Sequence, residues 1–257
     1  DADLAYLHNG VMDGTPIVFL HGFSDMAECW TPFIARLDLD LPVYALDAPG
    51  HGRSRLHASP DPMSQLVERA ITFIASLSRP AILMGHSMGA VQAMYVACDA
   101  PELVRAAVLE DPPLSQAMPQ WDNQATAIRL GDGVRHTTAR DLDEVMAEVR
   151  AGNPHWDAAE VDPMVRSKWF MDLNFLQGFD IHRESMTQTL AKLTSPALLL
   201  TGDTRRDAII SEETAQWAVE LCPSLRIAHF AGTSHQIHRD AATDVATVVR
   251  DFILQHA

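Results

Sequence analysis

The pentapeptide Gly85–Gly89, which reads Gly-His-Ser-Met-Gly, constrains the fold of this chain more than any other stretch. It follows an apolar run over 80–84 and precedes a helix-like run over 90–98. A strand, a tight turn and a helix in this order expose the Ser87 hydroxyl on a strained elbow, beside backbone amides that can bind an anion. Glycines at both ends let the strand and the helix approach closely, because a side chain there would clash. The pattern therefore predicts a nucleophilic serine at position 87.

The rest of the chain alternates short apolar runs with helical patterns. Apolar runs bounded by Pro, Gly or Asp are typical of parallel strands buried on both faces. They are Ile17–Leu20, Val43–Leu46, Ala81–Met84, Ala106–Leu109, Ala197–Leu200 and Arg226–Phe230. Helical patterns cover 27–37, 63–77, 88–99, 211–221 and 240–255. This alternation predicts an α/β fold with a doubly wound, mostly parallel sheet, in which ligands bind at the carboxyl ends of the strands.

One long segment breaks the alternation. Between 112 and 192 helical patterns such as 141–150 and 162–176 dominate, and about 80 residues is too long for a plain loop. We interpret 112–192 as a helical lid inserted into a core formed by 1–111 and 193–257. Its large side chains are expected to fill the lid's own core and its seam with the sheet, and some of them to roof a pocket. They are Trp121, Trp156, Trp169, Phe170, Phe175 and Phe179, with Met118, Met146, Met164, Met171 and Met186.

Composition argues against several classes of function. The 257 residues carry a formal net charge of −15, which disfavours nucleic acid, anionic membranes and highly anionic substrates as partners. No apolar run approaches the ~18 to 20 residues of a membrane span, and no signal-peptide pattern opens the chain. Cys29, Cys98 and Cys222 are scattered in apolar, helix-like contexts, so we expect buried thiols and a reducing, cytoplasmic location.

No metal or other cofactor is expected, because the sequence shows neither a His-Glu-x-x-His pattern nor a cysteine-based cluster. The expected partner is a small-molecule substrate, with homo-oligomer formation left open.

The base that activates the serine is expected to be His235. A serine hydroxyl is a poor nucleophile until a base takes its proton. His235 follows the last predicted strand and precedes the last helix, within a Gly-Thr-Ser-His turn. His238, three residues later, is expected to be a surface or helix-start histidine. His21 and His86 are expected to shape turns rather than to transfer protons.

Five motifs, taken together, resemble the α/β-hydrolase fold superfamily and cover nearly the whole chain. They are His21-Gly22-Phe23, the Asp47–Ser54 segment, the Ser87 elbow, Gly202-Asp203 and the His235 turn. The resemblance implies a nucleophile, an acid and a histidine in that chain order. It also implies an oxyanion hole formed by the backbone N–H groups of Phe23 and Met88, each worth about 3 kcal/mol of the acylation barrier. The Asp47–Ser54 segment is expected to be architectural.

Three aspartates compete for the role of the acid that orients the histidine. Members of the superfamily often place the acid second in a Gly-Asp-x-Asp pattern followed by two apolar residues, and counting back from Ile209-Ile210 selects Asp207. Counting forward from the preceding strand selects Asp203, because this loop is two residues longer. Asp111 follows an earlier strand, 24 residues after Ser87, where some resembling families place their acid. All three alternatives remain open, and those not used are expected to cap a helix or a turn.

An esterase or lactonase acting on small to medium, mostly apolar acyl compounds fits these residues best. Serine at the elbow disfavours epoxide hydrolase and haloalkane dehalogenase chemistry, for which the resembling families use a carboxylate nucleophile. The alternatives are a carbon–carbon bond hydrolase acting on a diketone, an amidase, and a ligand receptor with slow turnover. A structural protein with a dead site usually lacks the serine or the histidine, and this chain has both.

Overall fold

A single seven-stranded sheet organises the protein in the computed structural model, which describes residues 3–114, 122–182 and 185–257. Its strands are β1 (Tyr6–His8), β2 (Ile17–Leu20), β3 (Val43–Leu46), β4 (Ala81–His86), β5 (Val104–Glu110), β6 (Ala197–Thr201) and β7 (Leu225–His229). They lie in the order β1-β3-β2-β4-β5-β6-β7, with β1 antiparallel to β3 and the other neighbours parallel. The predicted α/β fold with a mostly parallel sheet is confirmed.

Strands form where the sequence has its short apolar runs. β2 and β3 span the predicted residues, and β4 and β5 continue beyond them to His86 and Glu110. Successive side chains of a strand point to opposite faces of the sheet. Ile82 and Met84 therefore pack in one core and Leu83 in the other. Burial on both faces explains why these strands are continuously apolar rather than alternating.

Edge strand β1 has no counterpart among the predicted strands. It contains three residues, and its Tyr6 side chain is 50% exposed. Because only one side of β1 is paired and part of it faces solvent, it lacks the apolar run that marks the inner strands.

Helices cover both faces of the sheet. In chain order they are α1 (Thr31–Leu37), α2 (Pro62–Ala75), α3 (Met88–Asp99), α4 (Asn123–Thr138), α5 (Leu142–Gly152), α6 (Ala158–Arg166), α7 (Met186–Lys192), α8 (Glu212–Leu221), α9 (Ile237–Asp240) and α10 (Ala242–His256). Phe33 of α1 and Val249 of α10 belong to one core, whereas Leu66 of α2, Val91 of α3 and Ala215 of α8 belong to the other. The sheet is therefore doubly wound.

In the described part of the segment between β5 and β6 the regular elements are helices, and α4 to α7 lie in it. The continuous helix expected over 162–176 is wrong: α6 ends at Arg166, and two 3-10 helices, Ser167–Phe170 and Leu173–Leu176, follow it. The reason is a tether to the sheet domain, because the N–H of Asp172 donates to the Gly50 carbonyl at 2.8 Å, while the Asp172 side chain caps the second 3-10 helix.

The large side chains of this segment divide between two clusters. Met146 and Trp156 belong to a small cluster formed by α5 and α6 with their connection, whereas Phe175, Phe179 and Met186 pack into the core beside the sheet. Trp169 and Phe170 are exposed. Trp121 and Met118 lie outside the described residues. Cys29 and Cys222 are buried thiols and Cys98 is half-buried, and burial raises the pKa of Cys29 to about 12.

Candidate active site

The elbow at Ser87 has the strained geometry that its sequence predicts. Ser87 has φ 53° and ψ −116°, between the end of β4 and the start of α3. A Cβ added to Gly85 would lie 2.2 Å from the Gly89 oxygen, and one added to Gly89 would lie 2.1 Å from the Leu20 oxygen. Only glycine fits at either place, since real side chains do not approach backbone atoms so closely. The two glycines thus allow the tight turn that presents the half-buried Ser87.

His235 lies on the loop between β7 and α9 and is paired with Asp111. Its Nδ1 is 2.6 Å from Asp111 Oδ2. Asp111 directly follows β5, has a positive φ of 44° and is fully buried. The N–H groups of Ile209 and Ile210 donate to Asp111 Oδ2 and Oδ1 at 2.8 and 2.9 Å. Two backbone donors and the imidazole therefore hold a buried carboxylate in one orientation.

Asp203 and Asp207, the other two candidate acids, form no hydrogen bond with His235 in the described residues. The Asp203 carboxylate accepts hydrogen bonds from the N–H and the guanidinium of Arg205, and these bonds lower the pKa of Asp203. Asp207 is exposed and occupies a left-handed turn position with φ 69°. Within the described part of the chain, Asp111 is thus the candidate that contacts the imidazole.

His86 joins the elbow to the histidine loop. Its Nε2 is 2.9 Å from the carbonyl oxygen of His235, and the two imidazole rings lie 4.7 Å apart. Burial lowers the pKa of His86 to about 3, so the ring is neutral near pH 7 and its Nε2–H donates to that carbonyl. Two chain segments 149 positions apart are thereby fixed side by side.

The turn after β2 approaches the elbow from the other side. A Cβ added to Gly22 would lie 3.4 Å from the Ser87 Cβ, so the Gly22–Phe23 peptide lies beside the serine. Met88 begins α3, where the first N–H groups of a helix lack intrahelical acceptors. In the ranges that the structure describes, neither the Phe23 nor the Met88 N–H donates to a backbone carbonyl. The two groups are available to bind an anion beside Ser87.

Two buried histidines brace this turn against the loop after β3. His21 Nδ1 donates to the Gly22 carbonyl at 2.8 Å, while its Nε2 accepts from the Ala48 N–H at 2.9 Å. Burial lowers the pKa of His21 and that of His51, the latter to about 3. The His51 ring lies 5.2 Å from the ring of His21 and 6.0 Å from that of Phe23. Both imidazoles therefore fold as neutral groups and shape the turns.

We expect these neutral histidines to make the protein less stable in acid. Burial lowers the pKa of His51 from 6.5 to about 3, so the unfolded chain binds more protons than the folded protein between these values. The free energy of unfolding therefore falls as the pH drops from 6.5 towards 3, by about 1.4 kcal/mol per pH unit for one histidine. The free energy of unfolding can be measured from urea unfolding curves at about pH 6, 5 and 4. Plotted against pH, it should have a slope shallower by that amount in His51→Gln.

His136→Gln is the matched control, because His136 is exposed on α4. It should retain the wild-type dependence on pH. An unchanged slope in His51→Gln would show that the buried ring is protonated in the folded protein.

A set of buried charged side chains beneath the site is not predicted by the motifs. Glu110, next to Asp111, accepts hydrogen bonds from the backbone N–H and Nδ1 of His238, both at 2.8 Å. Burial opposes ionisation of Glu110, but His238 and His86 lower its pKa to about 2. His238 does lie near the start of a helix, but it is 1% exposed, so the expectation of a surface histidine is wrong. The physical reason is its buried partner: a carboxylate that ends an apolar strand requires a hydrogen-bond donor.

Aromatic side chains of the inserted segment reach the turn that contains Phe23. The Phe23 ring lies 6.5 Å from Phe175 and 6.4 Å from Phe179. Phe179 also lines a cavity of about 570 Å³ between α4 and residues 173–180, together with Ile128, Leu176 and polar groups such as Arg135. The wall between this cavity and the turn is thus aromatic.

Neither a metal cluster nor a membrane helix is found in the described ranges. Residues 3–114, 122–182 and 185–257 contain no group of three or more His, Cys, Asp or Glu side chains placed to hold a metal ion. None of their helices has the length and hydrophobicity that spanning a membrane requires.

Comparisons with known proteins agree with this fold. A family model described as "Alpha/beta hydrolase family" matches residues 17–248. The pimeloyl-[acyl-carrier protein] methyl ester esterase of Xylella fastidiosa (strain M23) is 21% identical over 249 residues, covering 93% of this chain and 95% of the relative. The crystal structure of E-2-(acetamidomethylene)succinate hydrolase superposes with a TM-score of 0.80 at 20% identity, covering 97% of this chain and 94% of the other. An epoxide hydrolase of Bacillus megaterium superposes with a TM-score of 0.76 at 20% identity, covering 97% and 96%.

Proposed function

Because this chain belongs to the alpha/beta hydrolase family, we propose that it is a serine hydrolase that cleaves carboxylic esters or lactones of small to medium, mostly apolar substrates. The observation that carries this proposal is the Asp111–His235 pair, joined through His86 to the Ser87 elbow. A methyl ester esterase among its relatives supports an ester substrate.

In the proposed reaction, Ser87 Oγ attacks the acyl carbonyl as its proton passes to His235 Nε2. Asp111 accepts the hydrogen bond from Nδ1–H, which leaves Nε2 unprotonated and stabilises the imidazolium once it forms. The tetrahedral intermediate collapses as the imidazolium protonates the leaving alkoxide, and an acyl-enzyme remains. Water, deprotonated by His235, then attacks this ester, and the acid is released together with a regenerated Ser87 hydroxyl.

We assign the stabilisation of the negative charge that develops on the carbonyl oxygen to the N–H groups of Phe23 and Met88. Both groups belong to the backbone, so the side chains of Phe23 and Met88 take no part in proton transfer. Fixed donors stabilise an oxyanion without reorganising during the reaction, which is why each contributes about 3 kcal/mol.

Specificity is assigned to the segment 112–192, which we propose is a lid over a core made of 1–111 and 193–257. Phe175 and Phe179 support this role, since they pack on Phe23. Phe23 lies in the turn Gly22–Asp25, which we call the oxyanion turn. An apolar acyl group between these rings would be shielded from water. The cavity beyond Phe179 offers room for a longer, more polar part of a substrate.

A labelling and substrate screen tests the proposal. The purified protein should react with a fluorophosphonate probe, and peptide mapping should locate the label on Ser87. Esters or lactones should be turned over faster than matched amides and diketones. Preferred cleavage of a diketone or an amide would replace the ester assignment, and probe binding without turnover of any panel member would indicate a receptor.

A further inference from the structure

The oxyanion turn is held by a buried group of charges that extends into the inserted segment. Asp25, 6% exposed, lies at the end of the turn that contains Phe23. Its Oδ1 is 3.1 Å from Lys168 Nζ and its Oδ2 is 3.0 Å from Arg239. Lys168 belongs to the 3-10 helix Ser167–Phe170, and Arg239 to α9, directly after the His235 loop. One carboxylate thus connects three separate parts of the fold.

Lys168 also holds the backbone of the turn directly. Its Nζ donates to the Ser24 carbonyl at 3.0 Å, and Ser24 has a left-handed conformation with φ 60°. Such a conformation is uncommon outside glycine and persists where surrounding contacts enforce it. The ammonium group therefore stabilises both the Ser24 carbonyl and the Asp25 carboxylate.

The next link runs from Asp25 to Phe23. The Asp25 N–H donates to the Gly22 carbonyl at 3.1 Å. This carbonyl and the Phe23 N–H belong to the same planar peptide unit, in which C=O and N–H point in opposite directions. Fixing the carbonyl therefore fixes the direction in which the Phe23 N–H points.

We propose that Lys168 is a positioning residue for catalysis: through Asp25 and the Gly22 carbonyl, it aims the Phe23 N–H at the oxyanion. This inference rests on the proposed function, because it assigns Phe23 to the oxyanion hole. It makes the inserted segment part of the device that stabilises the transition state, in addition to its role as a wall of the pocket. Arg239 completes the arrangement from the histidine side and also lies 3.7 Å from Glu160 of α6.

The two cations of this group, Lys168 and Arg239, keep Asp25 ionised. Burial favours the neutral acid, but Lys168 and Arg239 hold the pKa of Asp25 well below its usual range. Removal of Lys168 leaves Asp25 its contact with Arg239, while the Ser24 carbonyl loses its donor. Because the Lys168 side chain is only 18% exposed, its replacement should keep a stem of similar length.

Lys168→Met tests the proposal, since methionine keeps an unbranched stem and removes the charge. A misdirected oxyanion donor reduces stabilisation of the transition state more than it reduces binding of the substrate. We expect kcat for a p-nitrophenyl ester to fall about tenfold with KM changed less than about twofold, and fluorophosphonate labelling of Ser87 to slow by about the same factor. Lys168→Arg should recover part of both losses, and thermal melting should show that each variant is folded.

Arg166→Met is the matched control, because Arg166 lies two positions away and pairs with the exposed Asp162. It should leave kcat and the labelling rate unchanged. A Lys168→Met variant with a higher KM but an unchanged kcat and labelling rate would overturn the proposal, since Lys168 would then only dock the inserted segment. If the wild-type protein is neither labelled at Ser87 nor active on esters, the proposed function fails, and this inference fails with it.

Discussion

Ser87→Ala is expected to lower kcat for ester hydrolysis roughly 10⁴- to 10⁶-fold. The variant lacks the oxygen that forms the acyl-enzyme, so only substrate binding and the oxyanion donors remain to accelerate the reaction. Fluorophosphonate labelling should disappear as well. The measurements are initial rates with p-nitrophenyl esters and mass spectrometry of the labelled protein.

This experiment separates chemistry from folding. Alanine keeps the Cβ of serine, so the positive φ of 53° is neither relieved nor made worse, and the melting temperature should stay close to that of the wild type. Ser76→Ala, at an exposed position that ends α2, is the control and should retain full activity. Full hydrolysis by Ser87→Ala would show that the nucleophile is assigned wrongly.

Asp111→Asn is expected to lower kcat roughly 10³- to 10⁴-fold. The neutral amide cannot stabilise the imidazolium, and it can bind Nδ1 in a way that leaves the proton on Nε2, where it blocks the attack by Ser87. Asparagine also presents one oxygen where Ile209 and Ile210 need two acceptors. A modest fall in the free energy of unfolding should therefore accompany the loss of rate.

Asp203→Asn and Asp207→Asn are the comparison variants. Asp203 bonds to Arg205, and Asp207 is exposed, so both should keep kcat within about threefold of the wild type, as expected for changes away from reacting groups. If kcat fell strongly in either variant while Asp111→Asn stayed active, the triad acid would have to be assigned to the loop after β6. Equal, mild losses in all three would contradict the whole triad.

The inner strands and the Ser87 elbow were predicted from the sequence, because each depends on residues that are neighbours along the chain. Continuous apolar runs mark strands buried on both faces, and the glycines at 85 and 89 mark a close approach of strand and helix, so both could be read from neighbouring residues. The Asp162–Leu176 helix failed because a contact with Gly50, more than 100 positions away, extends the chain at Asp172. Strand β1 was missed because an edge strand of three residues has no buried run.

The choice among three aspartates could not be made from spacing. Ile209-Ile210 suggested Asp207, yet in the fold these two residues offer their N–H groups to Asp111, which directly follows the neighbouring strand β5. The Glu110–His238 and Asp25–Arg239 pairs join residues 128 and 214 positions apart. Such pairings follow from how strands and loops meet in space, and no periodicity along the chain encodes them.

The pairing of β4 with β5 also determines how rigid the site is. These strands align His86 with Glu110, their last residues. Ser87 and Asp111 directly follow the two strands and therefore lie side by side. The Ser87 N–H bonds to the Glu110 carbonyl at 2.8 Å, which extends the ladder to the nucleophile itself. Neighbouring strands lie about 4.8 Å apart, so the sheet spacing sets the distance between the backbones of Ser87 and Asp111. Two members of the proposed triad are therefore fixed by the sheet, whereas His235, on a loop, is held by its contacts with Asp111 and His86.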